Sequence, residues 1–202
     1  MSTLPSLPTV MYCNCMDDIK QRLLKVNKIL SGHSPMKHEG LDGEVVCLLI
    51  RKSLEQIAFA SLIAQKEVYA KVHADFAKTW HVKRLLERIE AIHPDFYPKP
   101  AAFPTVETGR VKHLIDVNDG YLTRDDFVVL YGICSEILHT WNPYRAEPRT
   151  INTLRPLAEW VHRIQRLLDL HYIQLAGQNG VWVIQMNHPV DGKVHAFSAS
   201  PH

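Results

Sequence analysis

The sequence lacks the features that announce a membrane, a secretory route or a bound cofactor. No apolar run exceeds the six residues from Val45 to Ile50. That is far short of the roughly 20 that cross a bilayer, so an integral membrane protein is not expected. Residues 1–12 hold two prolines and no basic start, unlike a secretory leader. Cysteine is scarce, with four residues. Cys47 and Cys134 fall in apolar helical patterns, where the thiol behaves as a small hydrophobe. Cys13 and Cys15 stand too close together for an ordinary disulfide framework. The expectation is a cytoplasmic chain with free thiols. Neither sign of charge dominates: 23 Lys plus Arg face 21 Asp plus Glu, a net charge of +2. Overall charge alone therefore gives no case for nucleic-acid binding. There is no P-loop, no GxGxxG after a strand and no GxSxG elbow, so no nucleotide cofactor or serine-hydrolase chemistry is expected. The 12 histidines include His33 and His38 in a Gly/Pro loop, yet none has the paired spacing of two CxxC units or HExxH. No metal is expected from those motifs.

What the chain does have is helical periodicity. At 202 residues and 46% hydrophobic content it is long enough for one good core. We read 1–202 as a single domain: an extended arm over 1–13, a helical bundle over 14–171 and a β-meander over 172–198. The fold class is mainly α, with about five helices and a small C-terminal three-stranded antiparallel meander. Helices are expected over 17–30, 44–71, 82–92, 123–142 and 152–170. The 44–71 segment has no Pro or Gly and is apolar on most faces, which places it at the centre of the bundle. Residues 31–43 read as a loop, and Pro94, Pro98, Pro100 and Pro104 make the start of 93–122 irregular. Within that stretch Val111 to Val117 suits a short strand. Thr123 with Asp126 is a capping pattern for the helix that follows. Strands are expected over 172–176, 181–186 and 193–197, with turns at Gln178-Asn179-Gly180 and Asp191-Gly192.

Three groups of residues carry chemistry. Tyr131, Ser135 and His139 recur every four positions along one helix, and Asn142 and Arg145 follow where it ends. A helix C-terminus favours the charged form of a histidine. That suits proton transfer, and equally a structural His bonding the last carbonyls. Arg51 and Glu55 sit one turn apart on the apolar central helix and need partners there. They form either a structural ion pair or one wall of a polar pocket between two helices. The third group is Arg145, Arg149, Arg155, Arg163 and Arg166, set against Glu147 and Glu159. Arginine matches phosphate in a bidentate way. The competing reading is an ordinary solvated helix face.

Two stretches together, IRKSLEQIAFASLIAQ (50–65) and LYGICSEILHTWNPYR (130–145), resemble the HEPN superfamily of small helical bundles, in particular its divergent members. The resemblance covers about 41–172 and leaves out the meander. It implies an RNA-associated homodimer of a stress or phage-defence system, with a protein partner such as an antitoxin or another defence component. Active members are metal-independent endoribonucleases in which an Arg, separated from a following His by four to six residues, holds the scissile phosphate while the His moves the proton. In this chain the resemblance implies His139, Arg145, Ser135, Asn142, Arg51 and Glu55 as catalytic candidates and Arg149, Arg155, Arg163 and Arg166 as RNA contacts. The three positions at that spacing before His139 hold Gly132, Ile133 and Cys134. This departure opens the alternative: a non-catalytic interaction or sensor module with a degenerate site.

Overall fold

A computed structural model describes residues 6–34, 36–72, 81–104, 114–140, 142, 144, 151–177 and 180–199. In chain order the elements are α1 (Leu7–Leu30), α2 (Glu39–Val72), α3 (Val82–Ile92), β1 (Lys99–Ala102), β2 (Ile115–Asp116), α4 (Arg124–Leu138), α5 (Leu157–Leu168), β3 (Leu170–Gln174), β4 (Val181–Gln185) and β5 (His195–Ala199). The protein is mainly α, as its periodicity predicts. No helix among the described residues is long and apolar enough to cross a membrane.

α2 packs against α1, α3 and α4 and reaches β3. Its buried residues include Val46, Cys47, Ile50, Leu54, Ile57, Ala58, Ala60 and Tyr69. Its central place follows from that nearly all-round apolar surface. The helix begins before the expected 44, at Glu39, because His38 Nδ1 accepts from the Leu41 N–H at 3.3 Å. Gly40 and Gly43 are tolerated inside it.

The extended arm expected over 1–13 is corrected: from Leu7 onward it is helix. Ser6 caps α1, its hydroxyl accepting from the Thr9 N–H, and Pro8 lies in the first turn. Proline is harmless there, because first-turn N–H groups have no intrahelical acceptor. Tyr12, Met16, Ile19, Leu23 and Val26 then line one buried stripe. The ends of the last two helices also differ. α4 stops at Leu138, not 142, and α5 starts at Leu157, not 152. Pro156 precedes α5 and disfavours helical backbone at Arg155. Asn152 Oδ1 holds the Leu154 N–H at 2.9 Å in a local turn instead.

The sheet has five strands, not three, in the order β2-β1-β3-β4-β5, and all pairings are antiparallel. The two strands beyond the expected meander, β1 and β2, come from the irregular 93–122 stretch. β1 changes neighbour along its length: Lys99 and Pro100 face Tyr172 and His171 of β3, while Ala101 and Ala102 face Asp116 and Ile115 of β2. Proline has no N–H for a continuous ladder, and Pro100 sits at that change of partner, its carbonyl accepting from the Val117 N–H at 3.1 Å. Of the strand expected over Val111 to Val117, β2 supplies Ile115–Asp116, and 111–113 lie outside the described residues. One continuous apolar core runs through helices and sheet, from Tyr12 and Met16 to Ile173, Trp182 and Ile184.

Candidate functional site

The junction of α2 and α4 brings three of the sequence-predicted polar residues together. Arg51 Nε donates to Glu55 Oε1 at 3.3 Å. The Tyr131 hydroxyl donates to the same oxygen, also at 3.3 Å. The Arg51 guanidinium lies 4.9 Å from the centre of the Tyr131 ring, within reach of a cation–π attraction. Desolvation opposes the charge on Arg51, but Tyr131 and Glu55 outweigh it and hold the guanidinium above its usual pKa. Burial, together with Glu55, raises the Tyr131 hydroxyl despite the nearby cation. Beside this cluster Cys47 and Cys134 are buried neighbours across the same helix boundary, and all four cysteines are free thiols. The bond to Cys47, with burial, pushes the Cys134 thiol well up, while the same bond draws the Cys47 thiol down against burial; both side chains are fully buried, out of reach of a substrate.

The remaining members do not join that cluster. Ser135 Oγ donates to the Tyr131 carbonyl at 2.7 Å, a local helix bond. His139 is the C-cap of α4, exposed, with its backbone N–H on the Glu136 carbonyl at 3.2 Å. It lies eight residues beyond Tyr131, about 12 Å along a helix axis. Asn142 is exposed and accepts from the Tyr144 N–H at 3.0 Å. Arg145 and Arg149 lie outside the described residues.

The described arginines of the basic group are ion-paired. Glu159 Oε1 accepts from Arg155 Nη1 at 3.0 Å and from Arg163 Nε at 3.3 Å. Arg163 also reaches Asp126 Oδ2 and the Tyr121 carbonyl, each at 3.3 Å. Arg166 Nε donates to the Asp119 carbonyl at 2.8 Å, and its Nη2 is 3.3 Å from Asp119 Oδ1. It crosses Gly120 so closely that a Cβ there would lie 3.0 Å from Nε, and Gly120 has φ +70°. Arg163 and Arg166 thus tie α5 to the loop that leads into α4. That loop enters the helix through Thr123, whose hydroxyl accepts from the Asp126 N–H at 3.1 Å, as the capping pattern predicts.

Two clefts lie away from the α2–α4 junction. A cleft of about 350 Å³ is lined by Tyr97, Lys99, Asp116, Tyr121, Arg124 and Tyr172. A second of about 480 Å³ lies between the end of α2, Trp182 and Ala176. Two polar features were not legible as sites from spacing within one element. Buried His171 sits between Tyr12 and the Leu168 carbonyl. His188, Asp191 and His195 converge in the β4–β5 connection; the signal for them is His-x2-Asp-x3-His across a hairpin turn. No family model matches the chain, and neither a curated protein nor a solved structure matches it.

Proposed function

We propose that the chain is a HEPN-like helical module whose α2–α4 site acts by interaction or sensing, without catalysis. One observation carries this reading. Arg51, the cation of the junction, is engaged by Glu55 and Tyr131, two helical turns from His139. A phosphate-holding Arg and a proton-moving His must meet on one substrate, whereas Arg51 is engaged by Glu55 and Tyr131 and His139 caps the far end of α4. The second reading is an RNA-associated, metal-independent endoribonuclease of a toxin or phage-defence system. The exposure of His139 and Asn142 at the end of α4, with Arg145 next in the chain, supports it. The experiment is incubation of the purified protein with RNA in EDTA, beside His139→Ala. The interaction module leaves RNA intact at high protein concentration. Cleavage by the wild type that disappears in His139→Ala establishes the nuclease. An exposed side chain predicts a stability change within about 0.5 kcal/mol for this substitution, so lost activity cannot be mistaken for unfolding.

A further inference from the structure

The connection between β4 and β5 carries a donor set that the α2–α4 junction does not use. In HPVDGKVH (188–195), His188, Asp191 and His195 each offer a ligand atom, and these atoms lie within 4.8 Å of one another. His195 Nε2 is 3.1 Å from Asp191 Oδ1 and 3.0 Å from Oδ2. His188 Nδ1 is 3.9 Å from Asp191 Oδ1. The two imidazoles stack, their centres 4.1 Å apart and their planes 22° from parallel. Ligands placed tetrahedrally at zinc distances stand about 3.4 Å from one another, and the two Asp191–imidazole spacings of 3.0 and 3.9 Å lie on either side of that value. Two imidazoles with one carboxylate are donors for zinc, copper or nickel, whereas magnesium and calcium prefer all-oxygen sets.

The turn that presents these groups is held in place by hydrogen bonds of its own backbone and of Lys20. Lys20 of α1 donates to the Met186 carbonyl at 3.0 Å and to the Gly192 carbonyl. The His188 N–H donates to the Lys193 carbonyl at 2.9 Å, and the Gly192 N–H returns to the His188 carbonyl at 2.7 Å. Gly192 has φ +67°, a conformation glycine adopts without strain. The Lys193 N–H donates to Asp191 Oδ1 at 3.0 Å, which orients the carboxylate as outer-shell partners orient metal ligands. Phe197 lies beside both rings, at 6.2 and 6.3 Å. A donor set already gathered by its backbone loses little conformational freedom on binding.

We propose that His188, Asp191 and His195 form a binding site for a zinc-class divalent ion, with the remaining coordination position open to solvent or to a donor from another molecule. The side chains of His188, Asp191 and His195 are 23%, 37% and 36% exposed, so the ion reaches the site from solution.

The test is titration of the metal-stripped full-length protein with ZnCl2 by calorimetry and with CoCl2 by visible absorption. The wild type takes up one ion that is absent from the double variant His188→Ala/His195→Ala. Asp191→Asn weakens its binding at least about 10-fold. Cys13→Ser/Cys15→Ser leaves the uptake unchanged, and MgCl2 does not compete. Imidazole resonances followed by NMR in the wild type give a readout that needs no variant: those of His188 and His195 move first as zinc is added. Zinc uptake by the double variant equal to that of the wild type, no uptake by the wild type at about 100 μM free zinc, or zinc-induced shifts confined to other histidines overturns the proposal.

Discussion

A histidine buried without a charge partner ties stability to pH, and His171 is that residue. It is fully buried. Nδ1–H donates to the Leu168 carbonyl at 2.8 Å, which leaves Nε2 to accept from the Tyr12 hydroxyl at 2.9 Å. Burial is the largest influence and pushes its pKa down to about 4, with the Leu168 bond opposing. The neutral ring is thus the form that folds, while the unfolded chain takes up a proton near pH 6.5. The stability due to the neutral ring is fully present above pH 6.5 and is lost as the pH falls from there towards 4. Integrated over that window the loss is about 3 kcal/mol. Carboxylates titrate in the same range, so the comparison is with His171→Gln. Urea unfolding at pH 7 and pH 4 should show the wild type losing about 3 kcal/mol more than the variant between the two. Equal losses would mean that the ring charges without cost in the folded state. Tyr12 brings α1 into this bond, which is why the first described helix cannot hang free as an arm.

At the scale of elements, the helices are joined to the sheet by side-chain amides as well as by apolar packing. Gln65 is buried on α2. Its amide donates to the Gln174 carbonyl at 2.6 Å and accepts from the Ala176 N–H at 2.7 Å. It continues the ladder where β3 runs out. Gln65→Leu keeps similar bulk but strands both backbone groups, and a buried unpaired group costs about 1–3 kcal/mol. We expect a loss of that order in denaturant unfolding, with the Ala176 amide exchanging faster in deuterium oxide. Unchanged exchange at Ala176 would refute the bridging role. These bridges mark the limit of what the sequence discloses. α2, α3 and the capped start of α4 were legible, because their periodicity and the Thr123 cap are local signals. α3 coincides with the expected 82–92. β1 was not legible, because Pro98 and Pro100 argue against a strand, and only the distant β3 makes the pairing worthwhile; β2 fell within the expected Val111 to Val117 strand, but its partner β1 was not foreseen. α1 was misread over its first turns because proline there resembles proline in an arm. The Arg51–Glu55 pair was legible from i,i+4 spacing, but that Tyr131 would engage both depends on how α4 lies on α2. The His188, Asp191 and His195 cluster spans a turn whose closure by Lys20 no local pattern reveals.

For the molecule as a whole, the question is how its charge is arranged. The net charge is only +2, and the described arginines of the α5 face meet acidic partners. Arg155 and Arg163 share Glu159, Arg163 also holds Asp126, and Arg166 holds Asp119. An RNA phosphate must displace these carboxylates before it gains an arginine, and exposed pairs of this kind are individually worth about 1 kcal/mol or less. Displacement is therefore feasible but reduces the electrostatic gain. Each phosphate neutralised on a single strand contributes about −0.7 to the slope of log affinity against log salt. Any RNA association of the wild type should accordingly have a shallow slope, of magnitude below about 2. Glu159→Gln isolates the effect, because it removes one negative charge from between two arginines while keeping an oxygen in place. If RNA binds the α5 face, this variant should bind more tightly at low salt and show a slope steeper by roughly 0.7 or more, as Arg155 becomes available. The gain should vanish at high salt and return to the wild-type level in Glu159→Gln/Arg155→Ala. Fluorescence anisotropy with a labelled single strand over a salt series reads both quantities. Identical affinities for wild type and Glu159→Gln at every salt concentration would remove this face from the RNA-binding surface and leave its arginines the task of fixing α5 to the loop before α4.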